Sequence, residues 1–273
     1  MYERLDDFLY WISERECIRI RKAAGDPKPW SNDPVFQTAY FCNVHREDDK
    51  VTKWIRRNWT CHDTVSRHLV AMALARFVNK PKTLEALTYP PPKLNIRFKN
   101  HWDYVFATHS TPWGNAYLVS TNGQSMAKHH YIFNRLVEVE KLSPEVRYGS
   151  LAETHGMLTK VRGLGSFMAG QIVADLKNSK GHPLHDDRKV EDWWDWCAHG
   201  PGSLRGMAWL LGMDKCPTKL FYEAMPGLRD IVCEALGEEI CAQDVQNCLC
   251  EFDKWCRVTN GTGRSKRKYP GVP

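Results

Sequence analysis

Apolar residues recur at helical spacing through most of the chain. Leu5, Phe8, Leu9 and Ile12 begin a stripe that continues to Ile18, and Gly25, followed by Pro27 and Pro29, supplies a stop. The acids of Arg46-Glu-Asp-Asp49 then stand where a helix dipole favours them, ahead of Val51, Trp54 and Ile55. Asp63 is placed to cap a helix that buries Val65, Leu69, Met72 and Phe77. Between Lys80 and Pro112 the periodicity fades among Pro81, Pro90, Pro91 and Pro92, which predicts irregular chain joining two lobes. Residues Ala116 to Gly123 are rich in β-formers and end on Asn-Gly, so a short strand is expected there, with helix as the alternative. Helices are predicted over Ile132–Leu142, Leu151–Lys160, Ser203–Gly212, Leu220–Leu236 and Asp244–Arg257. The pattern is mostly α and without internal repeat. It reads as one domain over 1–273, with helical lobes at 1–112 and 113–256, a cleft, and a tail at 257–273.

The most specific local pattern is Leu158-Thr-Lys-Val-Arg-Gly-Leu-Gly-Ser-Phe-Met-Ala-Gly-Gln-Ile-Val-Ala-Asp175. One helix ends near Lys160, Gly163 and Gly165 make a turn that calls for positive φ, and a second helix starts at Ser166 with Phe167, Met168, Ile172, Val173 and Leu176 in helical register. A helix-hairpin-helix over 151–176 would aim bare backbone amides, backed by the positive end of a dipole, at a phosphate oxygen. An ordinary helical hairpin with a glycine turn fits the same spacing.

Composition adds mild basicity, with a net charge of +6 from 38 Lys and Arg against 32 Asp and Glu. That permits nucleic-acid binding without requiring it. Arg264, Lys266, Arg267 and Lys268 cluster beside Tyr269, and Arg15, Arg19 and Lys22 share a face of the first helix, where solvation accounts for them equally well. No apolar run is long enough for a bilayer and Met1-Tyr-Glu-Arg-Leu-Asp is no signal peptide, so a cytosolic protein with reduced cysteines is expected. Cys241, Cys248, Cys250 and Cys256 fall one residue short of the C-x6-C-x2-C-x5-C spacing of a [4Fe-4S] centre. Thiols two apart on a helix diverge, so these read as buried free cysteines and no cofactor is expected. No metal is expected either, because Cys61 with His62, and His129 with His130, lack partners in the sequence.

Carboxylate chemistry has a candidate in Gly181-His-Pro-Leu-His-Asp-Asp187, where Asp186 or Asp187 is either a reactive acid or a solvated partner of Arg188 and Lys189. In Gly200-Pro-Gly-Ser-Leu-Arg-Gly206, Gly202 would allow close approach, Ser203 would cap a helix and Arg205 would fork onto an anion, unless this is a plain capped helix. Trp193, Trp194 and Trp196 suit either base stacking or a core.

The hairpin followed by a Gly/Pro loop and an Asp resembles helix-hairpin-helix DNA glycosylases, although Phe167 stands where lyase members carry Lys. Over almost its whole length the chain more closely resembles the alpha-glutamyl/putrescinyl thymine pyrophosphorylase family of phage thymine hypermodification. The resemblance is carried by Glu14-Arg15 with Ile18-Arg19, Gly25-Asp-Pro-Lys-Pro-Trp30, Phe41-Cys-Asn-Val-His-Arg-Glu-Asp-Asp49, Asn115-Ala-Tyr-Leu-Val-Ser-Thr-Asn-Gly123, Gly165-Ser-Phe-Met-Ala-Gly-Gln-Ile172, Gly200–Gly206 and Cys250-Glu-Phe-Asp-Lys254.

The resemblance implies a glycosylase-like helical fold and a transferase. That enzyme would replace the phosphate or pyrophosphate of an activated 5-hydroxymethyluracil in double-stranded DNA with a free amino acid or polyamine. It would be a monomer in the cytoplasm of an infected bacterium, working after a DNA base kinase. On that reading Gly163, Gly165 and Lys160 would hold backbone. Arg205, Ser203, Gly202 and Arg46, with Lys254, would hold the leaving phosphate. Asp187 or Asp253, with Asp48 and Asp49 behind them, would deprotonate the amine. Arg15, Arg19, Asn43, Tyr117, Trp193 and Trp194 would contact the base or the amino acid. A base-excising glycosylase and a non-catalytic DNA-binding module are the alternatives.

Overall fold

A computed structural model describes residues 2–59, 64–116 and 119–263. Asp63, Cys61, His62, Tyr117 and the basic cluster at 264–269 lie outside the described residues, so the readings placed on them stay expectations. The helices are α1 (Leu5–Ala24), α2 (Pro34–Thr38), α3 (Lys50–Asn58), α4 (Val65–Val78), α5 (Pro81–Leu87), α6 (Ile96–Thr108), α7 (Lys128–Leu142), α8 (Leu151–Leu158), α9 (Ser166–Lys177), α10 (Pro201–Leu211), α11 (Thr218–Leu236) and α12 (Ala242–Thr259). No strand occurs among the described residues, and the fold is mostly α as the periodicity predicts. The segment around Val119–Gly123, expected as a strand, is irregular with a turn at Asn122-Gly123. No helix among the described residues is long and apolar enough to cross a membrane.

Two compact units divide the chain at 49/50 and 193/194, whereas the sequence places a lobe boundary near residue 112. The first unit joins residues 1–49 to 194–273. Its core brings Phe8, Trp11, Phe36 and Phe41 from the N-terminal segment against Met207, Phe221, Leu249 and Phe252. Here α10 packs along α12 closely enough that its glycines face the α12 backbone.

The second unit, residues 50–193, packs α4 against both α7 and α9. Every residue of α4 from His68 to Val78 is buried. Arg76 and Asp175, 1% and 0% exposed, form a buried ion pair, joined by Arg56 at 3.1 Å and by Thr52. Breaking such a pair leaves an uncompensated buried charge. The irregular connector expected over 80–112 holds α5 and α6 instead. Pro81 sits at the first turn of α5, where a missing N–H costs nothing, and Asn95 caps α6 through its side chain.

Candidate functional site

The hairpin forms as a helix–turn–helix, with α8 ending at Leu158 and α9 starting at Ser166. Only Gly163 has positive φ (85°); Gly165 is extended at φ −70° and is the residue before the helix, which corrects the expectation for that position. A Cβ on Gly163 would lie 2.1 Å from the Tyr131 hydroxyl, so the turn is seated directly on α7. Arg135 of α7 fixes it further by donating from Nη1 to the Arg162 carbonyl at 2.9 Å.

The first intrahelical bond of α9 runs from Ala169 N to Gly165 O, so the helix begins directly at the turn. The turn and the start of α9 border a cleft of about 490 Å³ walled by Val119, Ser120, Asn122, Arg162, Gly163 and Phe167. Phe167 is 37% exposed, large and apolar beside backbone donors. Lys160 is exposed at the same turn. A rigid positive-φ turn, a helix N-terminus, the exposed cations Lys160 and Arg162 and an aromatic face suit a nucleic-acid backbone with an adjacent base or sugar.

Beyond α9, Asp186 is taken up by Arg188 and Lys189, both at 3.2 Å, and these cations hold its carboxyl below the usual range. Asp187 is exposed and makes no ion pair among the described residues. The loop is anchored by His182, whose Nδ1 accepts from Leu184 N while its ring packs edge-on against Tyr148 at 4.8 Å. Burial, with His68 and His185 nearby, pushes the His182 pKa down to about 3.

In the other unit, the Gly200–Gly206 segment is a helix-packing device. Ser203 is 0% exposed and its Oγ is held between Gly200 N at 3.0 Å and Gly200 O at 3.1 Å, which engages the hydroxyl expected to meet a phosphate. A Cβ on Gly202 would stand 3.1 Å from Cys250 Sγ, so that glycine serves close contact with α12. Arg205 is half exposed and donates from Nε and Nη2 to Oδ2 of Asp253. Asp253 is 1% exposed and also accepts from Trp209 and Arg257, so the carboxylate expected as a base is enclosed by three donors. Lys254 is paired with Glu251 and lies over the Phe41 ring at 4.7 Å.

The same unit gathers Arg15, Asn43, Arg19 and Asp48, residues far apart in sequence. Arg15 donates from Nε to Cys42 O at 2.8 Å and from Nη2 to Asn43 Oδ1, and Asn43 O accepts from Asn247. Arg19 pairs with Glu16 at 2.6 Å and lies 3.8 Å from Asp48. Arg15 is buried, not on a solvated face, and two edges of its fork are engaged, so only Nη1 has no hydrogen-bond partner among the described residues. The bidentate clamp on a carboxylate is thereby reduced to one donor. Arg46 is buried, with its backbone N on Asp244 and its guanidinium on Glu47. Asp49 lies close enough to raise the Cys42 pKa, although burial does most of that.

Trp193 is half-buried, carries the buried Lys177 ammonium 3.7 Å from its ring centroid and donates to Leu184 O. Trp194 carries Arg229 at 5.5 Å. The α12 cysteines diverge, Cys248 to Val44 O, Cys250 to Gly202 and Cys256 to Arg4, as helix geometry requires. His129 and His130 acquire a partner that their local sequence does not show: Asp103 of α6.

The chain is mostly helical and carries a hairpin cleft whose turn suits a nucleic-acid backbone. The chain is a member of the family described as "5-hmdU DNA kinase, helical domain", which matches residues 2–265. It is 25% identical over 236 residues to a 5-hmdU DNA kinase of Bacillus phage SP10, an alignment covering 74% of this chain and 36% of that protein. The chain therefore spans little more than a third of that relative. No solved structure matches it.

Proposed function

We propose that the chain is a DNA base-modifying transferase acting on activated 5-hydroxymethyluracil within double-stranded phage DNA. The observation that carries this reading is the hairpin cleft, with Gly163, Arg162 and exposed Phe167 at the start of α9, in a family named for an enzyme of 5-hmdU DNA. The amine nitrogen attacks the exocyclic methylene carbon, the carbon–oxygen bond to the phosphate or pyrophosphate breaks, and the leaving group departs with the bonding electrons. A carboxylate takes the proton released by the amine.

Each role is assigned within its own unit. In residues 50–193, the hairpin holds the DNA backbone and Asp187 is the acid best able to accept a proton, since Asp186 is already paired. In the other unit, Arg205 is the half-exposed cation suited to a leaving phosphate, and Arg15 Nη1 is a single buried donor for an amino-acid carboxylate. The amino acid or polyamine, the monomeric state, the upstream kinase and the cytoplasm of an infected bacterium belong to the same proposal.

A second reading is favoured by the family match: the chain is the DNA-handling part of a kinase that phosphorylates 5-hmdU. No Gly-x4-Gly-Lys-Ser/Thr loop occurs in these 273 residues, so a nucleotide would need another cradle. One experiment separates the readings. Duplexes bearing 5-hydroxymethyl-, 5-phosphomethyl- or 5-pyrophosphoryloxymethyl-deoxyuridine are incubated with the protein, ATP and a pool of amino acids and polyamines, and the nucleosides are read by mass spectrometry. An amine-bearing nucleoside supports the transferase, a phosphorylated one made from the hydroxymethyl duplex supports the kinase, and abasic sites would overturn both in favour of a glycosylase.

A further inference from the structure

Asp103 of α6 and the adjacent His129 and His130 at the start of α7 converge although 25 residues separate the first two. Asp103 Oδ1 lies 3.5 Å from His130 Nε2 and 3.9 Å from His129 Nε2, and a donor set taken from the three residues falls within 4.8 Å. Consecutive helical side chains ordinarily diverge by about 100°. Here the two imidazole centroids are only 4.1 Å apart. Asp103 Oδ1 is buried and has no hydrogen-bond partner among the described residues, while Lys99 occupies the other carboxylate oxygen.

The arrangement is held from behind. Trp102 donates from its indole N–H to the His129 carbonyl at 3.1 Å, and the Phe106 ring lies parallel to the His129 ring with centroids 5.8 Å apart. Both residues belong to α6, the helix that carries Asp103.

We infer that Asp103, His129 and His130 form a binding site for a borderline divalent transition-metal ion of the Zn²⁺ class. Two imidazole nitrogens and one carboxylate oxygen are the donors such ions prefer, whereas Mg²⁺ favours oxygen throughout. Metal–ligand bonds of about 2.0–2.2 Å at tetrahedral angles put donors roughly 3.4 Å apart. The spacings of 3.5 and 3.9 Å reach that with small side-chain rotations. His130 is 49% exposed, so the outward coordination positions open to water or an added ligand. Lys99 reduces the attraction for a cation, and it remains on Asp103 Oδ2 while Oδ1 turns to the metal.

The test uses the full chain stripped with a chelator. Zn²⁺ is titrated calorimetrically and Co²⁺ is followed by absorption, for the wild type, His130→Ala and Asp103→Asn, with far-ultraviolet circular dichroism verifying the fold. One equivalent should bind, with cobalt ligand-field bands of nitrogen and oxygen donors. Each variant should weaken binding by about tenfold or more, because loss of a direct ligand costs at least what loss of an outer partner does. His130 is half exposed, so its truncation keeps the helix intact. Absence of saturable binding overturns the site. So does wild-type affinity in both variants, or an intense thiolate-to-cobalt charge-transfer band indifferent to them, which would assign the metal to cysteines.

Discussion

Gly206 of α10 faces Leu249 of α12 so closely that a Cβ on the glycine would lie 2.0 Å from the Leu249 carbonyl oxygen. The obstacle is backbone, which cannot rotate aside. Gly206→Ala should therefore cost about 3 kcal/mol of stability by forcing the helices apart. Gly202→Ala meets a thiol at 3.1 Å and should cost about 1 kcal/mol. Urea denaturation of the two variants checks this order.

The Arg205–Asp253 pair is asymmetric, with the cation half exposed and the carboxylate buried. Arg205→Ala leaves Asp253 with Arg257 and Trp209, and should cost about 1 kcal/mol of stability. If Arg205 stabilises a departing phosphate, the same change lowers turnover about 100-fold or more. Asp253→Ala removes the buried charge itself and leaves Arg205 and Arg257 within reach of water, so it should also cost about 1 kcal/mol. Denaturation midpoints set beside nucleoside yields separate the two effects, and near-normal turnover in Arg205→Ala would remove that residue from the reaction.

At the hairpin, Gly163→Ala combines positive φ with a Cβ 2.1 Å from Tyr131 Oη, whereas the space beside Gly165 is open. Fluorescence anisotropy with any duplex should show weakened binding for Gly163→Ala, uniformly across sequences, because backbone contacts carry no sequence information. Substituting Lys160 by Ala should flatten the dependence of affinity on salt by about one counterion.

Legibility in the sequence followed the range of the interaction. The α8–α9 hairpin was readable because its turn and both apolar stripes lie within 27 consecutive residues, 151–177. Helices α5 and α6 were hidden by prolines taken as breakers, although Pro81 starts a helix and Phe98, Trp102, Val105 and Phe106 keep helical spacing. Glycines spaced four apart in Gly200–Gly206 read as a phosphate loop, yet on a helix that spacing makes one smooth face for a neighbour. The gathering of Arg15 with Asn43, and of Asp103 with His129, depends on tertiary packing that no local pattern encodes.

His182 predicts an acid sensitivity. Its folded pKa of about 3 lies below the unfolded value of 6.5, so the unfolded chain binds the extra proton between them. Stability from this residue is present in full above pH 6.5 and is lost progressively as the pH falls toward 3. His182→Asn, which keeps an acceptor for Leu184 N, should flatten the fall in melting temperature over this window. An unchanged slope would assign the acid response to other groups.

The division of the chain also sets an order of events during synthesis. Residues 50–193 are continuous and can fold once they have left the ribosome, but Phe8, Trp11, Phe36 and Phe41 wait for partners beyond residue 193. At about 5–20 residues per second, that interval lasts on the order of ten seconds. For that time the nascent N-terminal segment carries exposed aromatic side chains, a natural client for a chaperone.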